Sequence, residues 1–128
     1  MVLVESPAIS DSVFTVNTGG TVELQYFDVS GDMGSDPVYG GCLSVEAGDV
    51  LMDTVDFTEC YADAGGAVHV ASGGSLDWTT GICSDSGATL GGGCLSSEAV
   101  VTLRGVDMVG NTTDGDGGGF ISTGGEVN

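Results

Sequence analysis

Apolar residues along this chain recur in blocks at a nearly constant spacing. Four blocks each contain a pair of glycines and then an apolar stretch: "GGCLSVEAG" at 40–48, "GGAVHVASGG" at 65–74, "GGCLSSEA" at 92–99 and "GGFISTGG" at 118–125. The residues that follow the glycine pairs, Cys42, Ala67, Cys94 and Phe120, lie at almost equal intervals. The period is roughly 26 residues, within the range that is the sequence signature of a stacked repeat architecture.

The segments between these blocks align as well and carry four columns of mostly apolar residues. Within each segment these positions lie two or three residues apart, the alternation typical of short strands with one buried face. No longer window has an apolar rhythm of about 3.6 residues, so we expect few helices or none. The columns are Val22, Val50, Leu76 and Val101; Leu24, Met52, Trp78 and Leu103; Phe27, Val55, Gly81 and Val106; and Val29, Phe57, Cys83 and Met108. We expect a buried Trp78 ring, with room made for it by Gly81.

This period predicts an all-β fold, a β-solenoid of about five coils that forms a single domain over residues 1–128, either alone or as a module of a longer chain. Each coil would contain three short strands and stack on its neighbours at about 4.8 Å. The chain contains 24 glycines in 128 residues. Recurrent corners explain them, because a corner needs positive φ or close backbone approach, which glycine tolerates best.

Two segments resemble a known family of repeats. "VDFTECYADAGGAV" at 55–68 and "VDMVGNTTDGDGGGF" at 106–120 are similar to the repeats of chlamydial polymorphic outer-membrane proteins and of related bacterial surface β-helices. Phe57 matches the family's Phe position and Asn111 its Asn position. The resemblance implies a right-handed parallel β-helix, the hand that the crossover rule also favours. It further implies export and a surface or adhesive role.

Charge excludes several classes of partner. The chain has one Lys or Arg, Arg104, against 19 Asp and Glu, for a formal net charge of −18. Nucleic acid and anionic membrane surfaces are therefore excluded as partners, because binding phosphate requires Lys and Arg. No apolar run approaches the roughly 18 residues of a membrane span, so we expect no direct membrane insertion. Such a surface favours cations or a salty medium.

One file of acids is a candidate calcium site. Asp28, Asp56 and Asp107 occupy the position between two apolar columns, with Ile82 interrupting the file in the third coil. Asp28 and Asp56 should face outward about 5 Å apart on adjacent coils, where two carboxylates repel unless a cation or salt intervenes. Oxygen ligands at that spacing suit calcium. The alternative is a solvated acidic face.

Catalysis has little support in the sequence, so we expect no enzyme. Pectin-cleaving β-helices use Arg or Lys as a base together with acidic calcium ligands, and this chain offers only Arg104. The single histidine, His69, alternates with two valines and should point outward, without a partner for base or nucleophilic chemistry. A polysaccharide-degrading enzyme remains the third alternative.

The four cysteines allow three complete pairings. Cys42 and Cys94 share a column two coils apart, about 9.6 Å, which is too far for a disulfide. We expect these two to be buried thiols. Cys60 and Cys83 lie near one corner of adjacent coils, so a bridge between them stays open.

The two ends of the chain predict assembly. Val2, Val22, Val50, Leu76, Val101 and Val127 would mark successive coils, so both ends would have the same phase. Open end coils expose unpaired backbone and apolar side chains, and two such ends can stack head to tail as a homo-oligomeric filament. The end residues are Val2, Val4 and Ile9 on one side, and Val101, Leu103, Val106, Met108 and Val127 on the other. We therefore expect an extracellular or cell-surface structural module, with a calcium-dependent ligand- or polysaccharide-binding module as the alternative.

Overall fold

The computed structural model describes residues 2–5, 14–30 and 40–122. These residues form ten strands and contain no helix. The strands are β1 (Val2–Glu5), β2 (Phe14–Ser30), β3 (Leu43–Thr58), β4 (Tyr61–Ala64), β5 (Val68–Ser84), β6 (Gly87–Gly91), β7 (Leu95–Ser97), β8 (Val100–Val109), β9 (Thr112–Thr113) and β10 (Phe120–Ser122).

All strand pairs are parallel, and each joins one coil to the next. The large sheet has the order β1, β2, β3, β5, β7, β10, and β8 also pairs with β5. The small sheet has the order β4, β6, β9. Four successive levels of a β-solenoid are therefore formed by β2, by β3, by β5, and by β7 together with β8. At the two ends, β1 and β10 each add an incomplete coil. The predicted fold class is confirmed, although the described residues form about four coils rather than five.

The strand register confirms the apolar columns read from the sequence. Val22 pairs with Val50, Val50 with Leu76, and Leu76 with Val101. The column that contains Trp78 and the column that contains Phe57 follow the same register. Alternate residues of each strand thus face one interior, because side chains on a strand alternate between its two faces.

The corners of the coils have positive φ at equivalent positions, as the glycine content predicts. At one corner this residue is always glycine: Gly40, Gly65, Gly92 and Gly117. A Cβ at Gly65, where φ is +65°, would collide with the carbonyl oxygen of Val68. A second corner is different, because three of its four positive-φ residues carry side chains: Tyr26, Thr54, Thr80 and Gly105. Glycine is thus required where backbone packs on backbone and is dispensable where a side chain can turn outward.

The largest core side chain lies where the sequence places it. Trp78 is 0% exposed and contacts Phe57 edge to face, with ring centroids 5.3 Å apart. A Cβ at Gly81 would lie 3.0 Å from Cε2 of Trp78. The prediction that Gly81 makes room for the ring is confirmed.

The cysteine prediction is wrong. The structure contains two disulfides, Cys42–Cys60 and Cys83–Cys94, with Cα–Cα distances of 5.7 and 6.2 Å, and all four cysteines are 0% exposed. Cys42 and Cys94 are therefore not free thiols, and Cys60 does not pair with Cys83. Both bonds cross the interior of the solenoid, joining positions that the coil brings opposite each other rather than positions stacked in one column.

The predicted phase of the first strand is also wrong. Val2 pairs with Phe27 and Val4 with Val29, whereas the sequence reading places Val2 in the column of Val22. The observed pairing gives the first coil nearly the same length as the coils that follow it, because Phe27 in turn pairs with Val55. Ile9 and Val127 lie outside the described residues.

Candidate functional site

The acid file forms as predicted on the outside of the coils. Asp28 pairs in register with Asp56, and Ile82 with Asp107. A carboxylate oxygen of Asp56 accepts a hydrogen bond of 2.9 Å from the backbone N–H of Ile82. The file thus places two carboxylates on adjacent coils and then interrupts them with an apolar side chain.

Asp56 is the perturbed member of this file. Partial burial raises the pKa of its carboxyl, the Ile82 N–H opposes that shift by stabilising the charged form, and the neighbouring carboxyl of Asp28 raises the pKa further. The two acids border a shallow depression of about 290 Å³. Its lining is Asp28, Val29, Asp56, Phe57, Thr58, Ile82 and Ser84.

The ligand set offered to calcium is small. Within residues 2–5, 14–30 and 40–122, no group of three or more His, Cys, Asp and Glu side chains is placed so that it could hold a metal ion. Calcium takes about six to eight oxygens, and the paired carboxylates of Asp28 and Asp56 provide at most four. Backbone carbonyls and water would have to provide the rest.

His69 does not lie on the surface as expected. It is 5% exposed, and the two valines that flank it are fully buried. Burial lowers the pKa of its imidazole, and Glu98 partly opposes that shift. Its partners in register, Ser44 and Ser96, are also 5% exposed, so this part of the sheet is buried on both faces.

A short polar ladder lies at the corner that contains Cys60, and the sequence signalled only its last member. The Ser86 hydroxyl accepts a hydrogen bond of 3.1 Å from the N–H of Cys60. The Asn111 side chain accepts one of 3.0 Å from the N–H of Ser86 and donates one of 3.0 Å to the carbonyl of Cys83. Each polar side chain thus binds the backbone of the preceding coil, which gives Asn111 a structural role.

The single basic residue is paired with an acid. Arg104 on β8 donates hydrogen bonds of 3.0 and 3.2 Å to the two carboxylate oxygens of Asp77. Their side chains are 61% and 37% exposed, so the pair contributes little stability, about 1 kcal/mol or less.

The predicted end residues differ in exposure. Val101 is fully buried, whereas Leu103, Val106 and Met108 are partly exposed although they pack against the core. Among the described strands, β8 pairs only with β5, so its outer edge has no partner there. At the opposite end, Val2 and Val4 are in register with Phe27 and Val29.

Comparisons with protein-family models, with curated proteins and with solved structures find no match to this chain. The described residues include no helix long and apolar enough to cross a membrane.

Proposed function

We propose that this chain is a structural, non-catalytic β-solenoid module of an extracellular or cell-surface assembly, and that its coils continue end to end into a fibre or longer solenoid. The observation that carries the proposal is the open edge of β8, where the described strands leave the backbone unpaired and Leu103, Val106 and Met108 are partly exposed. An unpaired strand edge is a template for another strand. A head-to-tail contact of this kind propagates as a filament unless it closes into a ring.

The disulfides support a location outside the cytoplasm. Disulfides persist in oxidising compartments and are rare in the reducing cytosol. All four cysteines of the described residues are paired. The resemblance of 55–68 and 106–120 to repeats of bacterial surface proteins supports the same location and an adhesive role.

Charge supports growth along one direction only. The chain has a net charge of −18, and the acid file of Asp28, Asp56 and Asp107 faces outward on the flanks of the coils. Like charges on the flanks oppose sideways association, whereas the inward positions of β8 at the end of the coil stack are apolar.

Sedimentation across a concentration series tests the proposal. We expect the wild-type chain to form particles whose length grows with concentration, and Leu103→Lys to remain monomeric because it places a charge on the inward face of the end strand. Val100→Lys is the matched control, since Val100 lies on the same strand but is 45% exposed and outside the apolar columns. A wild-type chain that stays monomeric at every concentration, with both end coils protected from hydrogen exchange, would rule the proposal out.

A second candidate is a calcium-dependent module that binds a ligand or polysaccharide at the depression beside Asp28 and Asp56. The pairing in register of Asp28 with Asp56 favours it, because a cation there would stabilise both carboxylates as anions. Melting of the chain with calcium and with a chelator tests this candidate. A melting temperature that is the same in both would exclude it.

A further inference from the structure

Each end of the coil stack has one extra strand that covers only part of the last full coil, and the covered part differs between the two ends. At one end, β1 adds a strand only along residues 27–30 of β2, and no described strand continues the sheet beyond residues 14–16 on that side. At the other end, β10 adds a strand only along Leu95–Ser97, and no described strand covers the outer edge of β8. Each end therefore extends one strand further where β1 or β10 is paired than it does elsewhere.

The strand register shows how these steps relate. Val29, Phe57, Cys83 and Met108 form one column, and Val4 of β1 belongs to it. The strand β1 thus lies in the column of residues 106–109, where the opposite end is open. Likewise, Phe120 of β10 belongs to the column of Phe14, where the first end is open.

We propose that a second copy of this chain seats its β1 on the outer edge of residues 106–109, while the start of its β2 seats on β10. This stepped joint continues the column of Met108 and the column of Phe120 without a break, while residues 100–105 of β8 receive no described strand of the second copy. It rests on the proposed function, which it deepens by fixing the partner and the register. Leu3 of the second copy then pairs with Asp107, and its Glu5 with Val109. The strands pair as Val106–Val2, Asp107–Leu3, Met108–Val4, Val109–Glu5, Phe120–Phe14 and Ile121–Thr15.

The charges favour this register over its neighbours. In the stepped joint, Asp107 is in register with Leu3, and Glu5, the one acid of β1, is in register with Val109, so no two acidic residues share a register position. A slip of two residues would place Glu5 directly against Asp107, and like charges opposite each other on neighbouring strands destabilise a sheet. A slip of one residue would turn every inward residue outward.

A flush stack, with β2 of the second copy directly on β8, is disfavoured for two reasons. It would bring Asp28 of the second copy against Asp107. It would also place β1 of that copy at the level already occupied by residues 106–109, because β1 lies one coil below β2 along that column. The partial coil formed by β1 is therefore part of the recognition surface. It determines how many strand levels separate β2 of one copy from β8 of the next.

Disulfide trapping between two single variants tests the joint. Asp107→Cys is mixed with Leu3→Cys in one sample and with Asp28→Cys in another, and both are oxidised mildly under conditions in which the wild-type chain assembles. Partners in register on adjacent strands are about 4.8 Å apart, within disulfide reach, whereas positions two coils apart, at about 9.6 Å, are beyond it. We expect the mixed dimer with Leu3→Cys to exceed the one with Asp28→Cys at least tenfold. Buried-type Trp78 fluorescence confirms that each variant is folded.

The other outcomes separate the joint from the proposed function. Trapping mainly through Asp28→Cys would replace the stepped joint with a flush stack. Particles that assemble but trap through neither pair would mean that copies join through another surface, which overturns the joint and leaves the structural role standing. Wild-type chains and variants that remain monomeric throughout would overturn both.

Discussion

The indole Nε1 of Trp78 donates a hydrogen bond of 3.1 Å to the carbonyl oxygen of Val55 on the preceding coil. Gly81 lies beside both groups, and a Cβ there would collide with that carbonyl oxygen. The largest ring of the core is thus held by one coil and accommodated by the absence of a side chain on its own coil. Packing in this region has little freedom to adjust, because interiors are close-packed.

We expect Gly81→Ala to destabilise the fold by about 1 to 3 kcal/mol, the usual cost of adding a methyl group to a tightly packed site. The added carbon would force apart the Trp78 indole and its Val55 acceptor. Chemical denaturation followed by tryptophan fluorescence measures the effect. Gly118→Ala is the control, since a Cβ there would come no closer than 3.7 Å to the carbonyl oxygen of Asn111. Equal stability of the two variants would contradict the packing described for Gly81.

The disulfides should contribute strongly to stability. They close intervals of 18 and 11 residues, and a loop of about this size restricts the unfolded chain by about 3 kcal/mol. We expect reduction to lower the denaturation midpoint markedly. Mass spectrometry of fragments digested without reduction checks the pairing. Recovery of a fragment that joins Cys60 to Cys83 would contradict it.

Asp56→Asn should stabilise the chain at neutral pH by less than about 1 kcal/mol, the range for partly exposed charges. The folded-state pKa of Asp56 is raised, so its carboxylate is unfavourable above that pKa and the cost disappears as the pH falls through it. The advantage of Asp56→Asn over wild type should therefore shrink on acidification, which paired denaturation curves from neutral to acidic pH measure. Asp107→Asn is the control, because its partner in register is Ile82. Loss of stability in Asp56→Asn at neutral pH would instead point to a cation bound by the carboxylate.

Salt should stabilise the monomeric fold. With 19 acids against one base, the folded chain repels itself, and ions screen that repulsion over about 8 Å or less. We expect the melting temperature to rise steadily from very low salt to several molar NaCl, including when a chelator is present. A melting temperature indifferent to both salt and calcium would show that the acidic flanks do not strain the fold.

The stacked columns could be predicted from the sequence because a repeat of nearly constant length places each residue above its equivalent. Val50, Leu76 and Val101 needed only to be counted. The same arithmetic does not describe the cross-section of a coil, since which residues oppose each other depends on the corner angles. The repeat spacing therefore could not predict which cysteines pair with Cys42 and Cys94.

Local alternation was also a weak guide at two places. By alternation alone, Val2 and Val4 fit the columns of Phe27 and Val29 as well as those of Val22 and Leu24. Only the length of the first coil decides between these two registers. His69 alternates correctly but is buried, as are Ser44 and Ser96 in register with it, because this part of the sheet is covered on its outer face as well. For the acid file, the sequence predicted the neighbours of Asp56 but not its partial burial.

The two disulfides also determine how the chain would respond to a pulling force along its axis. Coils can peel apart one after another as the hydrogen bonds between them break, but the intervals Cys42–Cys60 and Cys83–Cys94 are closed covalently and cannot lengthen. The first encloses all of β3 and the second all of β6. A stretched chain would thus retain two covalently closed loops, which shorten its maximum extension.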